Sequence, residues 1–309
     1  MRASPKGDVP MRKHLITAAL ALVLGSTAFA AKPPATGGTT DPKLGYVAIL
    51  SSGARELRLA NEDGTGSVKL ASTANHGQMT LSLGPHASGK LSYNDGGNLH
   101  LLTYEVGATG PRTVSDVVIV GTSSRGFGYH RFSPTGAHIA YVMPGTNDIY
   151  LYDVATGQSS LLLAVTGYIG DLDFSHDGSQ VIYSVTTSPD FLQVEFRAVP
   201  VAGGSPIVLP ISGQYGDFRV GHQDDRIVAD TMGNFDGLSK LISADGSTVT
   251  PLRNGYVPDL RCDDAVVILQ VRNGDKQGTV SLLKYEIATG VTTTFSRSGN
   301  YWPDYFPDC

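Results

Sequence analysis

The fold is decided by residues 132–153, which read FSPTGAHIAYVMPGTNDIYLYD, because residues 174–198, FSHDGSQVIYSVTTSPDFLQVEFRA, repeat them in recognisable form. In both copies a turn ending in Gly precedes a strand rich in Ile, Val and Tyr, and a further alternating strand follows. Weaker copies begin near Leu83, Val220 and Cys262, at a spacing of about 42–46 residues. Four short antiparallel strands per unit at this period predict the blade of a β-propeller.

The two ends of the chain predict how the ring closes. The N-terminal unit begins near Tyr46 with a strand that corresponds to the second strand of the repeat, so it lacks an inner strand of its own. Residues 301–307, YWPDYFP, supply one spare inner strand. We therefore expect an all-β, six-bladed propeller of four-stranded antiparallel blades over residues 44–309, in which the C-terminal strand joins the N-terminal blade. Such pairing removes an exposed sheet edge and ties down both termini.

The turn at Phe132, the Ile-Ala-Tyr strand at Ile139 and the Ile-Tyr-Leu-Tyr-Asp strand at Ile149 resemble motifs of the TolB-like propeller family, with its WD40-like repeats. The resemblance covers nearly all of residues 44–309, although blades five and six lack the Pro and the clean Asp-Gly pair. A rigid ring with variable loops suits a non-enzymatic scaffold that holds a protein or glycan partner. The resemblance implies protein contact near the cell envelope, an expectation that rests on analogy of fold. Some TolB-like propellers are instead metal-dependent lyases of uronate polysaccharides, and this is the alternative function.

The N-terminal segment sets the expected compartment. Basic residues precede an uncharged run at residues 15–30, LITAALALVLGSTAFA, which ends in a small-x-small cleavage motif. Residues 1–30 are therefore predicted to be a signal peptide, with a retained anchor as the alternative, and the Pro-, Gly- and Thr-rich residues 31–43 a flexible linker. We expect a periplasmic or secreted monomer with no membrane insertion after cleavage.

The charge balance narrows the choice of partner. The full chain has a net charge of −5, and removal of residues 1–30, which carry four basic residues and one acid, leaves a mature chain at −8. An acidic chain does not favour nucleic acid, which binds basic surfaces. An envelope protein or an acidic glycan is the expected partner.

Alignment of the predicted inner strands brings charged residues to the central channel, since alternate strand residues share one face. It places Asp171, Asp217, Asp259 and Asp304 at one level, and Arg131, Asp173, Arg219 and Arg261 two residues further on, with His130 nearby. Clustered carboxylates suit Ca²⁺ or Mn²⁺ and arginines suit an anionic ligand, and no other cofactor is expected. The alternative is that these charges pair across adjacent blades, because buried charges need partners.

Catalytic motifs are absent from the sequence, which contains no Gly-x-Ser-x-Gly, His-Glu-x-x-His or P-loop pattern. No catalytic residue is therefore assigned. The two cysteines, Cys262 on the inner strand of blade six and Cys309 beyond that of blade one, are candidates for a disulfide that locks the ring. Two free thiols are the alternative, because sequence alone does not give the Cα separation.

Overall fold

The computed structural model describes residues 38–73, 79–121, 129–186, 188, 194–231, 237–272, 280–297 and 300–308. The predicted signal peptide, residues 1–30, and residues 31–37 of the predicted linker lie outside the described residues. The one helical element among the described residues is a 3₁₀ turn, His86–Ser88. In this part of the chain, no helix has the length and hydrophobicity needed to cross a membrane.

The described residues form six four-stranded antiparallel sheets. From the inner to the outer strand, blade one contains β24 (Asn300–Tyr305), β1 (Leu44–Ile49), β2 (Arg55–Ala60) and β3 (Val68–Thr73). Blade two contains β4 (Thr80–Leu83), β5 (Lys90–Asn94), β6 (Asn98–Gly107) and β7 (Gly110–Gly121). Blade three contains β8 (His130–Phe132), β9 (His138–Val142), β10 (Ile149–Asp153) and β11 (Gln158–Leu163). Blade four contains β12 (Tyr168–Phe174), β13 (Gln180–Thr186), β14 (Val194–Pro200) and β15 (Ile207–Gly213). Blade five contains β16 (Tyr215–Val220), β17 (Ile227–Thr231), β18 (Leu238–Ile242) and β19 (Val249–Asn254). Blade six contains β20 (Tyr256–Leu260), β21 (Val266–Arg272), β22 (Val280–Glu286) and β23 (Thr292–Arg297).

The inner strands form a closed ring. Each of the six, β4, β8, β12, β16, β20 and β24, contacts the inner strands of the two adjacent blades. The ring closes through β24, which pairs antiparallel with β1 and places Tyr305 opposite Leu44. The predicted six-bladed propeller and its closure by the C-terminal strand are both confirmed.

The core is divided among the interfaces between blades. Six clusters of buried apolar side chains are found among the described residues, and each one joins two neighbouring blades. At the interface of blades four and five, for example, Phe196 packs edge-on against Phe218, with ring centroids 5.0 Å apart. The alternating apolar residues of the strands therefore pack blade against blade and leave the intervening side chains of each inner strand for the channel.

Residues 38–43, the described part of the predicted linker, lie against the propeller. The backbone N–H of Gly38 donates to the carbonyl of Thr109, and that of Lys43 donates to the carbonyl of Ala60, at 3.1 and 2.9 Å. Thr39 is buried and hydrogen-bonded to Asn61. The chain thus enters the first strand across the outer strands of blades one and two.

Candidate functional site

One equivalent inner-strand residue per blade faces the mouth of the channel. In each blade it immediately precedes the last inner-strand residue that pairs with the second strand. These last pairs are Phe174 with Val181 in blade four and Leu260 with Val267 in blade six. The same pairing in the other blades is Tyr305 with Leu44, Leu83 with Leu91, Phe132 with Ile139 and Val220 with Ile227. The channel ring therefore consists, from blade one to blade six, of Asp304, Ser82, Arg131, Asp173, Arg219 and Asp259.

This register corrects the sequence alignment in blades six and one. Asp259 and Asp304 lie level with Asp173 and Arg219, and not with Asp171 and Asp217. The turn of blade six begins at Arg261, whose backbone N–H donates to the carbonyl of Val266 at 2.9 Å. The equivalent bond in blade four runs from the backbone N–H of Ser175 to the carbonyl of Gln180. Asp264 takes the left-handed backbone at φ +54°, where blade four has Gly178 at φ +70°. Without a glycine to mark the turn, the sequence alignment was two residues out of register.

The ring residues hold neighbouring blades together. Oδ2 of Asp173 accepts the N–H of Val220 at 3.0 Å, and Oδ2 of Asp259 accepts that of Tyr305 at 2.8 Å. Asp304 binds the N–H of Leu83 at 2.5 Å in the same way, and Oγ of Ser82 accepts the N–H of Phe132 at 3.0 Å. At four of the six positions the side chain therefore accepts a hydrogen bond from the next inner strand.

The two arginines interrupt this pattern because a guanidinium cannot accept a hydrogen bond. After Arg131, the N–H of Phe174 is bound instead by Oδ1 of Asp173, at 2.8 Å. Arg131 turns one Nη toward the carbonyl of His130, at 3.0 Å. The backbone at this interface is therefore satisfied from within blade four.

Arg219 is the centre of a buried ion network. Its Nη1 lies 2.8 Å from Oδ2 of Asp171, and its Nε lies 3.8 Å from Oδ1 of Asp259. Burial works against the charged guanidinium, but the carboxylates, Asp171 first, outweigh it and raise the pKa of Arg219. Asp171 also accepts the N–H of Phe218 at 3.1 Å. One carboxylate of blade four therefore binds both a backbone N–H and the guanidinium of Arg219 in blade five.

Asp259 and Asp304 are neighbouring buried carboxylates. Burial raises the pKa of both groups, and the charge of Asp259 raises that of Asp304 further, while Arg219 acts in the opposite direction on each. Two adjacent carboxylates cannot both ionise cheaply in such a site. Burial and the neighbouring carboxylate therefore favour the protonated form of Asp304, whose proton relieves the excess of negative charge in the ring.

His130 is held by blade two. Its Nε2 lies 3.0 Å from Oγ1 of Thr80, and its Nδ1 lies 3.0 Å from Oγ of Ser92. Burial, with the nearby charge of Arg131, lowers the pKa of His130 to about 3. The imidazole is therefore neutral, and both of its nitrogens are hydrogen-bonded to hydroxyl groups.

The remaining candidates lie elsewhere. Arg261 points to the junction of blades six and one, where it binds Glu62 at 3.0 Å and Asp263 at 2.5 Å. Asp217 is half-buried, two residues before the ring position of blade five. Cys262 is buried and disulfide-bonded, but Cys309 lies outside the described residues, so the pairing of these two cysteines stays a prediction.

The cavity at the channel mouth is small. All six ring residues line it, and its volume is about 30 Å³, room for one or two water molecules. Nε of Arg131 and Nε of Arg219 have no hydrogen-bond partner, and water in this cavity can satisfy them. Within the described ranges, no three His, Cys, Asp or Glu residues are grouped so that they could hold a metal ion. The arrangement supports stabilisation of the ring more directly than chemistry on a substrate.

Sequence reasoning missed a second group of polar residues, at the junction of blades six and one. Glu62, in the turn between β2 and β3, meets Arg261 and Lys284 there, although about 200 residues separate it from each. Burial works against the ionised carboxylate, but the hydrogen bonds from Lys284 and Arg261 outweigh it and lower the pKa of Glu62. No local sequence pattern marks this glutamate.

These features define a closed six-bladed propeller whose channel mouth is filled by its own polar and charged side chains. Its fold is similar to that of TolB from Acinetobacter baumannii, with a TM-score of 0.69 and 15% identity over 88% of this chain and 68% of that chain. A protein from Agrobacterium tumefaciens assigned as TolB gives a TM-score of 0.58 and 17% identity over 87% and 100% of the two chains. A chain of a nidogen–laminin complex gives 0.60 and 9% over 86% and 99%.

The similarity therefore establishes a TolB-like propeller fold. No family model matches the sequence, and a search of curated proteins finds no match.

Proposed function

We propose that this protein is an exported, non-enzymatic binding scaffold that uses a face of the propeller to engage a protein or glycan partner in the cell envelope. The observation that carries the proposal is the occupied channel mouth. Asp171, Asp173 and Asp259 are bound by backbone N–H groups or by Arg219, and the cavity beside them has a volume of about 30 Å³. A channel enzyme would need both free functional groups and room for a substrate.

The alternative, a metal-dependent uronate lyase, gains little from this geometry. Of the three arginines expected in the channel, Arg131 and Arg219 line the mouth, and Arg261 binds Glu62 and Asp263 instead. Metal coordination by His130 would require it to give up the hydroxyl contacts of Thr80 and Ser92. The scaffold is therefore the function that we favour.

A thermal melt separates the two functions. The mature chain is treated with EDTA and then supplied with Ca²⁺, Mn²⁺ or Zn²⁺, and the scaffold predicts no change in Tm with any of them. A metal at one hundred times its Kd would stabilise the fold by about 2.7 kcal/mol. A rise in Tm that Asp173→Ala abolishes would overturn the scaffold in favour of the channel enzyme.

Photo-crosslinking in the producing cells tests for the partner. A photoreactive residue replaces His176, in the turn beside the channel mouth, or Thr146, in a turn at the opposite end of the strands; both positions are exposed. The scaffold predicts a discrete adduct from one face and not from the other. Equal, diffuse labelling at both positions would contradict a dedicated binding face.

Fractionation of the producing cells tests whether the protein is exported. We expect the protein in the periplasm or the medium, with an N-terminus at Ala31 by mass spectrometry. A chain that keeps residues 15–30 and fractionates with membranes would contradict the predicted cleavage.

A further inference from the structure

The chain enters the propeller through a slot between two blades. Residues 38–43, which precede β1, are called the arm. One wall of the slot is the turn of blade one between β2 and β3, and the other is the tip of the β6–β7 hairpin of blade two. The backbone N–H of Gly38 donates to the carbonyl of Thr109 at 3.1 Å, and the N–H of Thr39 donates to that of Gly66 at 2.9 Å. Two consecutive residues of the arm therefore bind two different blades.

The slot fits a residue that has no side chain at position 38. A Cβ atom on Gly38 would lie 2.7 Å from the carbonyl oxygen of Thr109 and 3.3 Å from Cα of Gly110. Gly110 has a φ of +106°, a backbone conformation that favours glycine. The backbones of the arm and the hairpin tip are therefore in direct contact, and a larger residue at position 38 must displace one of them.

Thr39 anchors the arm to blade one. It is only 5% exposed, and its hydroxyl donates to Oδ1 of Asn61. The amide of Asn61 is oriented for this contact, because its Nδ2 donates to Oγ1 of Thr65 within the same turn, at 2.9 Å. The next residue of the arm, Thr40, is exposed. The anchor is thus one side chain, and its acceptor is held in place within blade one.

The arm and the C-terminal segment meet at one turn of blade two. Nε2 of His86 lies 3.7 Å from Oδ1 of Asp41 in the arm, and the backbone N–H of His86 donates to Oδ1 of Asp308 at 2.5 Å. The C-terminal strand β24 contacts β4 of blade two on the inner side of the ring, whereas the slot lies at the outer strands. Blade one is therefore held to blade two at both its inner and its outer edge.

We propose that the arm is a releasable clasp: when it leaves the slot, the outer part of blade one separates from the hairpin of blade two while blade four stays folded. Three hydrogen bonds hold Gly38 and Thr39 in the slot, whereas the strands of blade one are joined by antiparallel ladders. A segment held by so few bonds opens before the sheet it covers. The proposal goes beyond the scaffold function, because the purified chain opens in this way without a partner.

Hydrogen–deuterium exchange of the mature chain, measured by mass spectrometry, tests the clasp. Gly38→Val should speed exchange about tenfold in the two segments that form the slot, residues 61–73 and 104–113, because the lost hydrogen bonds make local opening easier. Exchange in residues 180–200 of blade four should stay unchanged. Gly107→Val is the matched control, since Gly107 is exposed on the same hairpin tip and a Cβ atom there meets nothing closer than 3.9 Å.

A second pair of variants changes the anchor alone. Thr39→Ala removes the hydroxyl that binds Asn61 and should speed exchange in the same two segments by less than Gly38→Val does, whereas Thr40→Ala should leave exchange unchanged.

Three results would overturn the proposal. The first is unchanged exchange at the slot in Gly38→Val, and the second is an equal increase in Gly107→Val. The third is an increase that extends to residues 180–200, which would show that the arm supports the whole ring and not one blade. None of these results bears on the crosslinking test of the scaffold, so the two proposals fail separately.

Discussion

The channel mouth and the junction of blades six and one both adjoin the turns that follow the inner strands, yet they differ in how their polar groups are paired. At the channel mouth Asp171, Asp173 and Asp259 accept hydrogen bonds from the backbone of the next blade. At the junction of blades six and one the buried hydroxyl of Tyr305 has no partner, and the cavity there is about 290 Å³ against about 30 Å³ at the channel mouth.

This difference separates two uses of polar groups. A carboxylate that binds the next blade contributes to the ring and is not free to bind a ligand. A buried donor that has no partner costs stability instead. Variants of the two regions should therefore differ in sign as well as in size.

The largest effect is expected at Asp171. Asp171→Ala removes the acceptor of the Phe218 N–H and leaves the buried Arg219 without its closest carboxylate. Removal of one partner of a buried ion pair costs about 3–5 kcal/mol, measured as the free energy of unfolding in urea. Asp41→Ala is the control, since Asp41 is 63% exposed and pairs with Lys43, and it should cost less than about 1 kcal/mol. Equal losses would contradict a structural role for the network.

A smaller effect is expected at the ring closure. If Cys262 bonds to Cys309, the double change to alanine should lower the free energy of unfolding by about 2–4 kcal/mol, because the crosslink restricts the unfolded chain. Non-reducing peptide mass spectrometry should show one linked peptide that contains both cysteines. A linkage between two chains would show that closure relies on the pairing of β24 with β1 alone.

The sequence predicted blades three and four well because their turns carry Pro134, Gly136 and Gly178, which mark a turn locally. It also predicted the spare C-terminal strand. It did not predict the register of blade six, where Asp264 adopts a backbone conformation that normally indicates glycine. Nor did it predict the polar group at the junction of blades six and one, because Glu62 and Arg261 meet only when the ring closes.

A third effect depends on pH. Burial and the charge of Asp259 raise the pKa of Asp304 to about 8, whereas an unfolded aspartate titrates near 3.9. The folded chain keeps a proton that the unfolded chain releases, so the free energy of unfolding falls as pH rises between about 4 and 8.

Asp304→Asn removes this titration and keeps an oxygen for the Leu83 N–H. Its stability relative to the native chain should increase with pH by at most about 1.4 kcal/mol per unit, the limit for one proton. Urea unfolding at pH 5, 6.5 and 8 measures this. Asp63→Asn, at an exposed position where hydrogen bonds from Thr65 lower the pKa, should not reproduce the increase. A difference that is constant across the three pH values would show that Asp304 is ionised in the folded protein.

The smallest effect is expected at Tyr305, and its sign distinguishes the two regions. Tyr305→Phe removes a buried hydroxyl that has no partner, so the free energy of unfolding should stay unchanged or rise by up to about 1 kcal/mol. Tyr46→Phe provides the contrast within the same apolar cluster, because its hydroxyl lies 2.6 Å from Oγ of Ser67. That change breaks a made hydrogen bond and should cost about 1 kcal/mol. If both variants lose stability equally, the Tyr305 hydroxyl has a hydrogen-bond partner in solution.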